Sequence, residues 1–78
     1  MEAMQEKVLE ILREQADTVD FEKETGLITN RILDSFEIIN LVSDLEDAFD
    51  IRIGTAEMIP ENFNSLSNIV KMVQRLKG

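Results

Sequence analysis

The 78-residue chain contains no cysteine and no histidine, and these two absences exclude much of protein chemistry. Without cysteine the chain can form no disulfide, no thiolate metal site and no thiol nucleophile. Without histidine it cannot form a Ser-His-Asp catalytic relay, and zinc lacks its usual nitrogen ligands. The three glycines are scattered, so there is no glycine-rich phosphate loop. The composition therefore argues against an enzyme.

Tryptophan and tyrosine are also absent, which removes the commonest aromatic anchors from any interface. No run of about 18 apolar residues occurs, so no membrane span is expected. The N-terminal region carries Glu2 and Glu6 rather than basic residues followed by an apolar stretch, unlike a signal peptide. We therefore expect one soluble, monomeric domain over residues 1–78, located in the cytoplasm.

Negative charge is concentrated in one segment. The formal net charge is −8, and residues 34–61 hold eight acidic residues against one basic residue, Arg52. Such a chain repels nucleic acid and anionic membrane surfaces. It suits a protein partner with a basic docking patch, although acidity that only keeps a small domain soluble explains the total charge equally well.

Apolar periodicity predicts an all-α fold, a small four-helix bundle with a long first loop and a short third helix. Residues 2–16 carry apolar side chains at helical spacing and predict the first helix. Residues 17–33 lack a sustained period but are too apolar for a free linker, so we expect a packed connector that covers one end of the bundle. Residues 35–49 predict the second helix.

The third helix is predicted to be brief, running over residues 56–59 with Thr55 as its cap and Pro60 at its end. Phe63 then offers an apolar anchor. Asn64 or Ser65 can cap the last helix. Its predicted buried stripe contains Leu66, Ile69, Val70, Val73 and Leu76.

The second helix has a core stripe and an apolar outer face. At about 100° per residue, the stripe contains Ile38, Leu41, Val42, Leu45 and Phe49, with Ala48 at its edge. Phe36 and Ile39 lie outside it, among acidic side chains that include Asp44 and Asp47. Two large apolar side chains ringed by charge indicate a docking surface, which we assign to Phe36, Glu37, Ile39, Asp44 and Asp47.

The start of the second helix has the form of a capping box, with Asp34 as the cap and Glu37 three residues later. This pattern places Ser35 in the first turn, where the helix dipole favours a phosphate. Taken alone, the pattern more often marks only a helix cap. No metal is expected, since Ala48 and Phe49 interrupt the acidic run that could otherwise form a calcium loop.

These features together resemble the acyl and peptidyl carrier proteins. Asp34-Ser35-Phe36 matches their Asp-Ser-Leu-type motif, with Phe in the Leu position, and residues 37–50 resemble the helix that follows it. Within this family the likeness is closest to the D-alanyl carrier proteins, on residues 33–36, 49–51 and 68–70. Two departures stand out: Arg31-Ile32 replaces the glycine usual before the motif, and Asn40 replaces an acid common in fatty-acid carriers.

The resemblance implies that Ser35 carries 4′-phosphopantetheine, attached by a phosphopantetheinyl transferase, with Asp34 as the helix cap. The arm would hold an acyl or aminoacyl group as a thioester, so the chain itself needs no cysteine. Implied partners are a loading ligase or synthase and a downstream acyltransferase, with an aminoacyl cargo such as D-alanine favoured slightly over fatty-acid synthesis. The alternative is an unmodified acidic helical interaction domain that binds partners through the same helix.

Overall fold

The computed structural model describes residues 2–16 and 19–78, which form an all-helical domain as predicted. Its helices are α1 (Glu2–Gln15), α2 (Ser35–Phe49), α3 (Pro60–Phe63) and α4 (Leu66–Lys77), and Thr55–Glu57 form a 3-10 turn. Over the described residues, no helix combines the length and apolar character needed to cross a bilayer.

The core lies where α1, α2 and α4 meet. The buried side chains from these helices are Val8, Ile11, Leu12, Leu41, Leu45, Leu66, Ile69, Val70, Met72 and Val73. In α1 the predicted stripe of Met4, Val8, Ile11 and Leu12 is buried except at Met4, which is partly buried. In α4 the predicted stripe is buried except at Leu76, which is partly buried, and Met72 was missed. At about 100° per residue, Met72 lies next to the predicted stripe, so the buried face of α4 is wider than predicted.

The predicted core face of α2 is confirmed at its centre. Leu41 and Leu45 are fully buried, and the other members of the stripe are partly buried and pack against the core. Ala48 is exposed, so its assignment to the edge of the core was wrong. The fully buried part of the α2 core face is limited to Leu41 and Leu45, and the short Ala48 side chain at the margin of that face is exposed to solvent.

The third helix differs from the prediction in position. Residues 55–57 form a 3-10 turn with Gly54 as its cap and no side-chain capping bond, so Thr55 does not cap an α-helix. Pro60 starts α3 rather than ending a helix, because proline presets φ and lacks only an N–H that the first turn does not use. Phe63 is buried as predicted, and Ser65 caps α4 by accepting a 3.1 Å bond from Asn68 N.

The connector before α2 packs onto the bundle as predicted. Phe21, Leu27 and Leu33 are buried, and the remaining apolar side chains of residues 19–33 pack against the core. Residues 17–18, which the prediction also placed in the connector, lie outside the described residues.

Candidate functional site

The predicted capping box is present at the start of α2. Asp34 has an extended backbone, with φ −88° and ψ 178°, and its Oδ1 accepts a 2.8 Å bond from Glu37 N. Glu37 Oε1 in turn accepts a 3.0 Å bond from Asp34 N. Ser35 is therefore the first helical residue, and its side chain is exposed.

The two carboxylates nearest Ser35 in sequence are both engaged in this cap. Asp34 and Glu37 each accept a backbone N–H, an arrangement that stabilises the helix end. These bonds turn one oxygen of each carboxylate toward the backbone at the start of α2.

Large apolar side chains flank Ser35 on the solvent side of α2, as the helical phase predicts. Phe36 is 79% exposed and Ile39 is 61% exposed. They lie one residue and four residues after Ser35, so they share its end of the helix. Apolar side chains this exposed and this close together are typical of a contact surface.

The predicted docking acids differ in their surroundings. Asp47 is exposed, whereas Asp44 is partly buried and accepts a 2.9 Å bond from Gln15 Nε2 on α1. Glu37 is held in the capping box. Asp47 thus points its charge into solvent, while Asp44 and Glu37 also stabilise the fold.

An apolar recess of about 130 Å³ opens beside the first turns of α2. Its lining residues are Ile28, Ile38, Met58, Ile59, Pro60 and Phe63. Met58 and Ile59 are 40% and 43% exposed, so the recess borders solvent. The recess is not evident from sequence patterns because its residues come from three separate segments, although the two adjacent apolar residues before Pro60 offer a signal.

An ion pair fixes the segment that forms one wall of this recess. Arg75 Nη2 on α4 lies 2.6 Å from Glu57 Oε1, and Asn62 Nδ2 donates a 2.8 Å bond to the Glu57 carbonyl. The hydrogen bond from Arg75 lowers the pKa of the Glu57 carboxyl, and the same bond raises the pKa of Arg75. The pair ties the 3-10 turn, which directly precedes Met58, to α4.

The chain is similar over most of its length to proteins named as D-alanyl or acyl carrier proteins. A D-alanyl carrier protein of Lactococcus lactis subsp. lactis (strain IL1403) is 34% identical over 76 residues, covering 95% of this chain and 96% of the relative. A D-alanyl carrier protein of Bacillus subtilis (strain 168) is 31% identical over 74 residues, covering 92% and 95%. "Probable acyl carrier protein PigG" of Serratia sp. (strain ATCC 39006) is 38% identical over 57 residues, covering 73% and 66%. No protein-family model matches the chain.

Proposed function

The chain belongs to the acyl and D-alanyl carrier protein family, and we propose that Ser35 carries its 4′-phosphopantetheine arm. The observation that carries this proposal is the exposed Ser35 side chain at the first position of α2, held there by the capping box. The residues present fit a group attached through phosphate, because a helix N-terminus stabilises negative charge.

The part played by the chain is to offer the serine oxygen. Transfer from coenzyme A would form a phosphodiester bond between Ser35 Oγ and the phosphorus of phosphopantetheine. It would break the pyrophosphate linkage of coenzyme A, release 3′,5′-ADP and pass the hydroxyl proton to the transferase. When bound, the arm supplies the thiol that holds an acyl or aminoacyl group as a thioester, which a chain without cysteine cannot supply itself.

The proposed partners are a phosphopantetheinyl transferase, a ligase that loads the cargo and an acyltransferase that removes it. Phe36 and Ile39 would supply apolar contact, while Glu37, Asp44 and Asp47 would steer a basic partner surface. The catalytic steps belong to those enzymes, and each encounter is brief. Because coenzyme A and ATP-dependent activation are cytoplasmic, we also propose that loading occurs in the cytoplasm.

D-alanine is the cargo that we propose, with other aminoacyl groups as the next candidates. The support is the name of the relatives that match over nearly the whole chain, which are D-alanyl carrier proteins. A loading assay with the modified chain, ATP and a D-alanine-activating ligase tests it. We expect a thioester with D-alanine, and exclusive loading of fatty acid by an acyl ligase would contradict the proposal.

Intact mass spectrometry tests the attachment site. After incubation with coenzyme A and a broad-specificity transferase, we expect the chain to gain one phosphopantetheine and Ser35→Ala to gain none. Ser43→Ala is the matched control, since Ser43 is another exposed serine on α2. An unchanged mass for the unsubstituted chain would instead favour the unmodified interaction domain.

A further inference from the structure

Asn64, between α3 and α4, binds the connector that leads to Ser35. Its Oδ1 accepts bonds from Ile28 N at 3.0 Å, Thr29 N at 3.0 Å and Thr29 Oγ1 at 3.2 Å. Its Nδ2 donates to Thr29 Oγ1 at 3.0 Å, and its backbone carbonyl accepts from Leu27 N at 2.9 Å. One residue therefore holds three consecutive residues that lie some 35 positions earlier in the sequence.

Backbone hydrogen bonds extend this hold to the residue before the helix cap. The Leu27 carbonyl accepts bonds from Ile32 N at 2.9 Å and Leu33 N at 3.0 Å. Leu27 and Leu33 are both buried, at 0% and 3% exposure, so the turn that they close is packed onto the core. Residues 27–29 are thus bonded to Asn64, and residues 32–33 are bonded to Leu27. Because Leu33 directly precedes Asp34, these bonds connect Asn64 to the start of α2.

The same bonds set the position of one wall of the apolar recess. The side chains of Ile28 and Phe63 both line the recess. The backbone N–H of Ile28 donates to Asn64, and Phe63 directly precedes Asn64 in the sequence. Across the recess stand Met58 and Ile59, which the Glu57–Arg75 pair ties to α4. The spacing between the connector and the segment before α3 therefore depends on Asn64.

We propose that Asn64 is a positioning residue for Ser35. Asn64 fixes residues 27–33 against the junction of α3 and α4, so that a partner meets an ordered surface beside the serine. The inference rests on the proposed role of Ser35. An enzyme that reaches Ser35 must accommodate the connector that precedes it. If the connector is loose, ordering it becomes part of the transfer step.

Amide hydrogen exchange of the unmodified chain tests the structural half of this proposal. In Asn64→Ala we expect exchange at Ile32 and Leu33 to accelerate roughly tenfold or more, with little change at Val8 and Val73 in the core helices. Asn64→Asp keeps the acceptor oxygen for Ile28 and Thr29 and should restore most of the protection.

Asn68→Ala is the matched control. Asn68 also links α3 and α4, through a 2.9 Å bond from its Nδ2 to the Glu61 carbonyl, and this side-chain bond does not involve the connector. We expect it to leave exchange at Ile32 and Leu33 unchanged. Equal acceleration throughout the chain in Asn64→Ala, or none at these two amides, would overturn the proposal. Hydrogen exchange is measured on the unmodified chain, so a result that contradicts the role of Asn64 does not depend on whether Ser35 is the attachment site.

Transferase kinetics test the functional half. The exposed side chains of α2 are intact in Asn64→Ala, so KM should stay within about twofold while kcat for loading Ser35 falls several-fold. General destabilisation would move neither constant as long as the chain stays folded. Recovery of kcat in Asn64→Asp supports positioning, and unchanged kcat in Asn64→Ala despite faster local exchange overturns it.

Thr29→Val keeps the proposal testable if Asn64→Ala does not fold. Thr29 is exposed, and valine removes only the two bonds between its hydroxyl and Asn64. We expect a smaller effect in the same direction, with faster exchange at Ile32 and Leu33 and lower kcat. Exchange and kcat equal to those of the unsubstituted chain would count against the role of Asn64.

Discussion

Lys77, the last residue of α4, donates a 3.1 Å hydrogen bond from Nζ to the carbonyl of Phe49, the last residue of α2. No basic residue lies in the last turn of α2 itself. The carbonyl end of a helix carries partial negative charge, so a cation from another helix stabilises it. The contact joins the ends of the two helices and completes the C-terminus of the helix that bears Ser35.

Removing this cation should destabilise the fold modestly. We expect Lys77→Met to lower the free energy of unfolding by about 0.3–1 kcal/mol at low ionic strength, and by less in high salt. Urea denaturation at two salt concentrations measures it. Lys71→Met, which removes an exposed lysine elsewhere on α4, is the control and should have a smaller effect. An equal loss from both variants would contradict a specific role for Lys77.

The Glu57–Arg75 pair should make stability depend on pH in acid. The pKa of Glu57 is lowered in the folded chain from an ordinary value of 4.5, chiefly by the hydrogen bond from Arg75. Its contribution is therefore fully present above the unfolded-state pKa and is lost as the pH falls through the lower, folded-state pKa. We expect the unsubstituted chain to exceed Glu57→Gln in stability at pH 7, with the gap closing in acid.

Urea titrations between neutral pH and pH 3 test this prediction. Glu61→Gln is the matched control, since it removes an exposed acid from the neighbouring helix α3 without affecting the pair with Arg75. A gap between the unsubstituted chain and Glu57→Gln that stays constant or widens in acid would show that the ion pair does not stabilise the fold.

Local patterns predicted most of the fold, and contacts between distant segments account for what was missed. Helical phase alone predicted that Phe36 and Ile39 face solvent, and the capping spacing predicted the bonds at Asp34. Pro60 was misplaced because proline is compatible with both the end of one helix and the first turn of the next. The bonds of Asn64 could not be predicted, since their partners are fixed only by the packing of the connector.

Arg31 adopts a backbone conformation that glycine prefers. Its φ is 58°, in the left-handed region where a side chain costs about 1–2 kcal/mol. Glycine would remove that cost but would give the unfolded chain more freedom, worth about 0.5–1 kcal/mol. We expect Arg31→Gly to stabilise the chain by up to about 1 kcal/mol, as measured by urea denaturation. Arg31→Ala keeps the Cβ atom and should change stability by less than about 0.5 kcal/mol; an equal gain from alanine would exclude backbone strain as the cause.

The two side-chain caps offer a paired test of what the Asp34 cap does. Asp34→Ala and Ser65→Ala each remove a bond to a first-turn amide, at 2.8 Å in α2 and 3.1 Å in α4. Each should cost about 0.5–2 kcal/mol of stability. Only Asp34→Ala should also slow transfer of phosphopantetheine to Ser35, because only that cap fixes the serine. Equal loading rates for both variants would limit the Asp34 cap to a role in stability.

The charge of α2 should control encounter with partners through Asp47. This residue is exposed, whereas Asp44 also bonds to Gln15, so Asp47→Lys changes the surface field without breaking a contact between helices. We expect a several-fold higher KM for the transferase at low salt, because reversing the charge weakens attraction to a basic surface. The difference should shrink toward 1 M salt, where the screening length falls to about 3 Å. Glu10→Lys, an exposed acid on α1, is the control for net charge and should raise KM less. If Asp47→Lys is loaded as efficiently as the unsubstituted chain at low salt, the acidic face of α2 does not steer the transferase, and docking depends on Phe36 and Ile39.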